Sequence, residues 1–185
     1  MSGAVQVVLS MSLDGFITGK DPTVENPLGD AGDIIRPGGE RWMRDETMAA
    51  MGAVVAGRTV YDHTHGWGDE PPFEVPVFVP THRPRDVRVA GATTFTFVPD
   101  VKTAVTMAKE AAGDKNVYLM GGANTANQAL RLGLVDELIL HIEPVLLGAG
   151  ARLFADLGDQ RIPLERVKVV EGEKSTHVWL RVLHA

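Results

Sequence analysis

The chain has 185 residues, no cysteine, 44% hydrophobic and 23% charged residues, and a formal net charge of −6. That length suits one domain, residues 1–185, and the apolar fraction is enough to offset chain entropy, which excludes a disordered chain. The lack of cysteine excludes a disulfide framework, a thiolate zinc site and a cysteine nucleophile and fits a cytoplasmic protein, while the acidic balance argues against a nucleic-acid partner.

Val5–Leu9 is rich in β-branched residues and reads as a buried strand, broken by Asp14-Gly15. Residues 18–40, rich in glycine, proline and acidic residues, read as a long loop of the kind that is functional or mobile. Glu40–Met51 reads as a helix, with Met43, Ala50 and Met51 near one face and Gly52 as its stop. Ala53–Ala56 is a buried strand ended by Gly57, and a short helix follows over Thr59–Asp62. Beyond a turn-rich stretch, Val77–Val79 is a strand, Pro80–Arg88 a basic connector and Thr93–Val98 another strand. Asp100 caps a helix over Val101–Ala112, closed by Gly113. Val117–Met120 is a strand, Gly121-Gly122 a tight turn, and Asn124–Leu132 a helix stopped by Gly133. Glu137–Pro144 is a strand, and two more lie around Arg166–Val170 and His177–Leu183. This alternation predicts an α/β domain with a mixed sheet. No apolar run approaches the ~18–20 residues of a membrane span, so no membrane partner is expected.

Three places can carry chemistry. In VYLMGGANTANQAL a strand runs through two glycines into a helix. Glycine lets backbone approach a ligand, and the first helical N–H groups and the macrodipole favour a phosphate. A plain turn is the bland alternative. In VVAGRTVYD, Gly57 ends a strand and Arg58 and Thr59 open the next element, suited to charge-assisted bonds to a phosphate or simply a surface arginine. In THRPRDVR, positive charge gathers after a strand, as an anion site or a solvated loop. The Rossmann and P-loop spacings are both absent. All three connectors follow strand C-termini, where ligands of open α/β sheets gather.

The segments VVLSMSLDGFITG, VVAGRTVYD, VFVPTHRP, VYLMGGANTANQAL and LVDELILHIEPVLLGAGARLF, in this order, resemble the reductase domain of the riboflavin-pathway deaminase–reductase and its dihydrofolate-reductase-like relatives. Ser-Leu-Asp-Gly and the run from Pro144 to Phe154 are the most specific pieces. The resemblance implies a dihydrofolate-reductase-like fold with a central, mostly parallel sheet flanked by helices, an NADPH cofactor and a homodimer. Carried over by position, it sets Ser10 and Ile17 near the nicotinamide. Gly57, Arg58 and Thr59 would hold the phosphates from one side, and Gly121, Gly122, Ala123, Asn124 and Thr125 from the other. Thr81, His82 and Arg83 would face the adenosine and its 2′-phosphate.

Riboflavin reductases of this type carry Glu before the Gly-Gly, where this chain has Met120. That departure weighs against the pyrimidine substrate and leaves the cofactor assignment intact. Asp14, beside the nicotinamide strand, is a catalytic candidate for orienting substrate or loop, with fixing of the Asp-Gly turn as its structural alternative. Glu46 is a candidate for the helix carboxylate of dihydrofolate reductases, with a solvated surface position as its alternative. His63 and His65 form an H-x-H pair without an evident third ligand, so no metal is expected. The leading expectation is an NADPH-dependent reductase of a small, heterocyclic substrate. The alternatives are the riboflavin-pathway reductase, acting on a ribosylamino-pyrimidine, and a non-catalytic nucleotide-binding dimeric module.

Overall fold

The computed structural model describes residues 3–31, 34–35 and 41–184. Glu40, the expected start of the first helix, and residues 32–33 and 36–39 of the expected long loop lie outside the described residues. The strands are β1 (Val5–Ser12), β2 (Met51–Ala56), β3 (Val77–Pro80), β4 (Arg88–Ala90), β5 (Thr93–Val98), β6 (Asn116–Met120), β7 (Glu137–Glu143), β8 (Leu164–Glu171) and β9 (Thr176–Val182). The helices are α1 (Arg41–Ala50), α2 (Arg58–His63), α3 (Val101–Ala112) and α4 (Ala123–Arg131).

All nine strands join one sheet in the order β4-β5-β3-β2-β6-β1-β7-β9-β8. Pairing is parallel from β5 through β7, and β4, β9 and β8 join antiparallel at the two edges. The expected mixed, mostly parallel sheet is therefore present. Strand alternation divides the core between the two faces. Val5, Val7, Val55, Leu119 and Leu138 pack with Val101, Val105, Ala126 and Ala129 of α3 and α4. Val54, Val77, Val79 and Phe95 pack on the other face with Tyr61 of α2, Phe73 and Trp67. The Trp67 ring lies stacked over Phe95 at 6.2 Å, and Tyr61 meets Phe95 edge-on at 5.4 Å.

Several boundaries differ from the sequence expectation. Met51 opens β2 and does not end α1, and Ala50 is exposed. Sheet pairing captures Met51, because its side chain reaches the aromatic cluster. A register shift between Met51 and Ala53 follows at Gly52, where a Cβ would stand 2.7 Å from the Lys115 Cβ. β1 runs three residues beyond Leu9, because β7 stays paired to it as far as Ser12. Arg88, expected in the basic connector, belongs to the edge strand β4. Its guanidinium lies 5.2 Å over the Phe95 ring and donates to the Gly66 carbonyl at 2.9 Å.

Candidate functional site

The C-terminal ends of β2, β3, β5 and β6 open on one cleft of about 350 Å³. Gly57, Arg58 and Thr59 form one wall. Thr81, His82 and Arg83 form a second, and Gly122, Asn124 and Thr125 a third. The three phosphate-capable connectors of the sequence thus share one space, as the strand ends of a parallel sheet require. Gly121, Ala123, Ser10 and Ile17 do not line this cleft. Pro80, Pro99, Asp100, Val101 and Gln128 do, and the sequence reading did not place them there. Asp100 had a signal of its own as a cap, and its carboxylate does accept from the Thr103 amide at 2.8 Å.

Glycine is needed where two connectors meet. A Cβ on Gly57 would stand 2.7 Å from Thr125 Oγ1 and 3.3 Å from the Gly122 nitrogen. The β2–α2 and β6–α4 turns are therefore pressed together, backbone against helix start. The α4 cap residue Gly122 has no side chain to satisfy the first turn, and those amides face an anion-friendly end of the helix dipole. Arg58 is already oriented: its Nε donates to both Asp62 carboxylate oxygens at 2.8 and 2.9 Å, and Nη1 donates to Thr81 Oγ1 at 3.2 Å. Thr81 Oγ1 also accepts from the Arg83 amide at 3.1 Å. Asp62 offsets the Arg58 charge, and the exposed Arg83 is a second cation on a cleft that Asp100 also lines. Such a set of backbone amides, hydroxyls and guanidinium groups can hold a polyphosphate.

Farther along the sheet the central strands part. β1 and β6 pair only as far as Val7 with Leu119, whereas β1 and β7 stay paired to Ser12 with Glu143. Tyr118 donates to the Val8 carbonyl at this fork, at 3.2 Å. Burial pushes its phenol up to about 12, so it stays a donor. Ser10 and Met120 lie on opposite sides of the fork, beyond the last β1–β6 pair.

The two most specific sequence motifs prove to be one unit in space. The Asp14 carboxylate accepts from Ser12 Oγ at 2.6 Å, the Leu147 amide at 3.1 Å and the Gly148 amide at 2.8 Å. The Ser12 hydroxyl, helped by those amides, holds its carboxyl down at about 2. Ile17 donates to the Ala151 carbonyl at 2.8 Å, and Arg152 Nη1 donates to the Asp14 carbonyl at 2.9 Å. Gly150 sits at φ +127°, and a Cβ there would reach 2.0 Å from the Thr18 carbonyl oxygen. Asp14 thus clamps two loops, its own and the one at Leu147 and Gly148. Glu46 is exposed on α1. Among the described residues no group of three His, Asp or Glu side chains is placed to hold a metal. No described helix is long and apolar enough to cross a membrane.

Comparison with known proteins agrees with this architecture. The family model described as the RibD C-terminal domain matches residues 4–178. Two Bacillus subtilis relatives match as well. YyaP is 49% identical over 53 residues, 29% of this chain and 28% of its own length. YwjB is 26% identical over 153 residues, 82% of this chain and 83% of its own length. A crystal structure described as a putative riboflavin biosynthesis protein from Shewanella sp. PV-4 superposes with a TM-score of 0.77 at 23% identity, covering 98% of this chain and 99% of that one. Dihydrofolate reductase from Enterococcus faecalis, complexed with NADP(H) and RAB-propyl, superposes with a TM-score of 0.64 at 15% identity, covering 98% of both chains.

Proposed function

The chain belongs to the RibD C-terminal domain family, and from that premise we propose that it is an NADPH-dependent reductase of a small heterocyclic substrate. The observation that carries the reading is the single cleft that gathers all three connectors at the strand ends. NADPH fits these residues: the Gly57–Thr125 contact leaves backbone where a side chain would intrude. The amides of Gly122, Ala123, Asn124 and Thr125 would hold its phosphates, with Gly121 keeping the turn tight and with Gly57, Arg58 and Thr59 opposite. Thr81, His82 and Arg83 would hold the adenosine end, and Ser10 and Ile17 would flank the nicotinamide. When bound, NADPH supplies the hydride. The Asp14 clamp fixes the loop that carries Ile17, and Tyr118 fixes the fork. The dihydrofolate reductase neighbour holds NADP(H) on the same fold.

Met120 supports the heterocycle over the ribosylamino-pyrimidine of the riboflavin pathway. Its side chain joins the aromatic cluster, and a thioether is a weak hydrogen-bond acceptor where a carboxylate would be a strong one. The nine strands share one sheet, which supports reading residues 1–185 as one domain; we further propose that it works in the cytoplasm as a homodimer. Exposed Leu164, Val167, Val169 and Leu183 give a second copy an apolar surface at the β8 edge.

The test is thermal denaturation with each cofactor. NADPH should raise Tm well above the value with NADH, because ligand that binds only the folded state stabilises it by mass action. Arg83→Ala should cost NADPH affinity about tenfold or more, the worth of one charge-assisted hydrogen bond, and leave NADH affinity nearly unchanged. Equal stabilisation by both cofactors would overturn the 2′-phosphate role. Binding without oxidation of NADPH by any pterin, pyrimidine, quinone or carbonyl would favour the non-catalytic module.

A further inference from the structure

The connector THRPRDVR sends its cations in two directions. Arg83 lines the cleft described above, whereas Arg85 and Arg88 line a second cavity of about 390 Å³ with Tyr61, Asp62 and His65. That volume falls in the usual range of small-molecule sites. The cavity lies between α2, the turn at residues 65–68, the connector and the edge strand β4. Arg85 lies 5.7 Å over the Phe97 ring and makes no ion pair or hydrogen bond with a described residue. Asp62, the one carboxylate of the lining, already accepts from Arg58 Nε with both oxygens. Asp69 stands 3.9 Å from Arg88 and is exposed, so that contact is worth little.

Tyr61 adds a signal that surface charge alone does not give. The residue is 6% exposed, and its ring meets Phe95 and Phe97 edge-on at 5.4 and 5.2 Å. Its hydroxyl has no hydrogen-bond partner among the described residues. A phenol buried to this degree usually has one. A Cβ on Gly66 would stand 2.9 Å from Tyr61 Cζ and 2.5 Å from Arg88 Nη1, so the hydroxyl end of the phenol and the guanidinium meet at Gly66. Arg88 is fixed there. Its Nη1 and Nη2 donate to the Gly66 and Gly68 carbonyls, which leaves other N–H donors of the fork for a ligand. The turn itself is unusual: His65, Gly66, Trp67 and Gly68 have φ of +50°, +59°, +56° and +65°. Residues other than glycine rarely adopt such a conformation. The Arg88 bonds and the Trp67 ring stacked over Phe95 hold it, with His65 on the cavity.

We propose that this cavity binds a phosphate group, free or carried on a small monoester, at a site distinct from the cofactor cleft. Arg85 and Arg88 hold its oxygens by charge-assisted hydrogen bonds, and the Tyr61 hydroxyl donates to a third oxygen. A phosphate monoester has close to two negative charges at pH 7 and three strong acceptor oxygens. Two guanidinium groups and a phenol answer both. The planar guanidinium fork also suits phosphate geometry better than an ammonium does. The cavity is larger than one phosphate, which leaves room beside His65 for a small organic group. The proposal goes beyond the reductase reading and does not rest on it.

The test is isothermal titration calorimetry of the whole chain with inorganic phosphate and with glycerol 3-phosphate, at constant ionic strength. Saturable binding is expected, and the tighter of the two probes identifies the free ion or the monoester as the form the site takes. Arg85→Gln should weaken that binding by about tenfold or more, the worth of a charge-assisted hydrogen bond. Arg85→Lys keeps the charge without the fork and should lose less. Arg85 is exposed, so neither change disturbs the core. Tyr61→Phe keeps the ring among its aromatic neighbours and removes only the hydroxyl; it should weaken binding by about threefold or more. Arg83→Ala, in the neighbouring cleft, should leave it within about twofold. No saturable binding of either probe overturns the proposal, as does binding that Arg85→Gln or Tyr61→Phe leaves unchanged. Binding lost in Arg83→Ala also overturns it, because the anion then sits in the cofactor cleft.

Discussion

At the scale of single residues, backbone space decides more than charge does. Gly57 has an ordinary φ of −59°, so a side chain there is unstrained in itself. Its constraint is the neighbour, Thr125 Oγ1, 2.7 Å from the would-be Cβ. Gly57→Ala should therefore destabilise the fold by about 1–3 kcal/mol, the usual cost of overpacking, and weaken NADPH binding by moving the two connectors apart. Thr125→Ala in the same chain should recover much of the stability, because it removes the atom struck. A double-mutant cycle on Tm and NADPH Kd measures that coupling. The sequence marks Gly57 as a strand stop and Thr125 as part of a helix start. It does not mark them as partners, because 68 positions separate two residues that only the sheet order brings together. Arg58 is legible as a phosphate-capable cation. Its engagement by Asp62 is legible too, as an i, i+4 pair on a helix, once α2 is known to begin at Arg58.

At the scale of elements, strands read well where both faces are buried and poorly at the edges. β2 and β6 appear as runs of β-branched and aliphatic residues. β4 hides, because three edge residues led by an arginine carry no periodicity to detect. β8 and β9 are legible as strands around Arg166–Val170 and His177–Leu183, yet what covers β8 is not. Seven of its eight residues are exposed and the other is partly buried. Val169→Lys should leave the monomer fold intact while shifting the protein from dimer to monomer in light scattering at micromolar concentration. A charge on an edge strand opposes strand-to-strand association. A wild-type protein that is monomeric under those conditions would remove the second copy from this surface.

At the scale of the whole molecule, the buried pair of His141 and His177, with Nδ1 atoms 3.0 Å apart, links stability to pH. His141 has a folded-state value near 4 against the usual 6.5. The unfolded chain therefore binds a proton that the native state refuses between those values. Stability conferred by the neutral ring is complete above about pH 6.5 and is lost as pH falls toward 4. Among the described residues, groups flanking the pair on its face include Ser10, Lys168 and Glu143, the last of which accepts from Ser175 at 2.7 Å. Urea denaturation across pH 4–7 should show that acid slope, and His141→Asn should flatten it. Asp14 acts at lower pH: its carboxyl is held near 2, so its clamp persists above about pH 4 and is released as pH falls through 2.

Sequence by itself determined the alternation of strands and helices, the caps and stops, and three anion-suited connectors. Each of these is a local matter of backbone freedom, side-chain periodicity and helix-end chemistry. The resemblance added the family and the cofactor expectation. Tertiary structure decided what depends on neighbours far apart in the chain. It placed the three connectors around one cleft and locked the Asp14 loop to the glycine-rich loop at Gly148 and Gly150. It parted β1 from β6 beyond Val7 and set His141 against His177 beside Ser10. The reason is physical: hydrogen-bond register and close approach between strands depend on sheet order, and sheet order is not written in any local stretch of sequence.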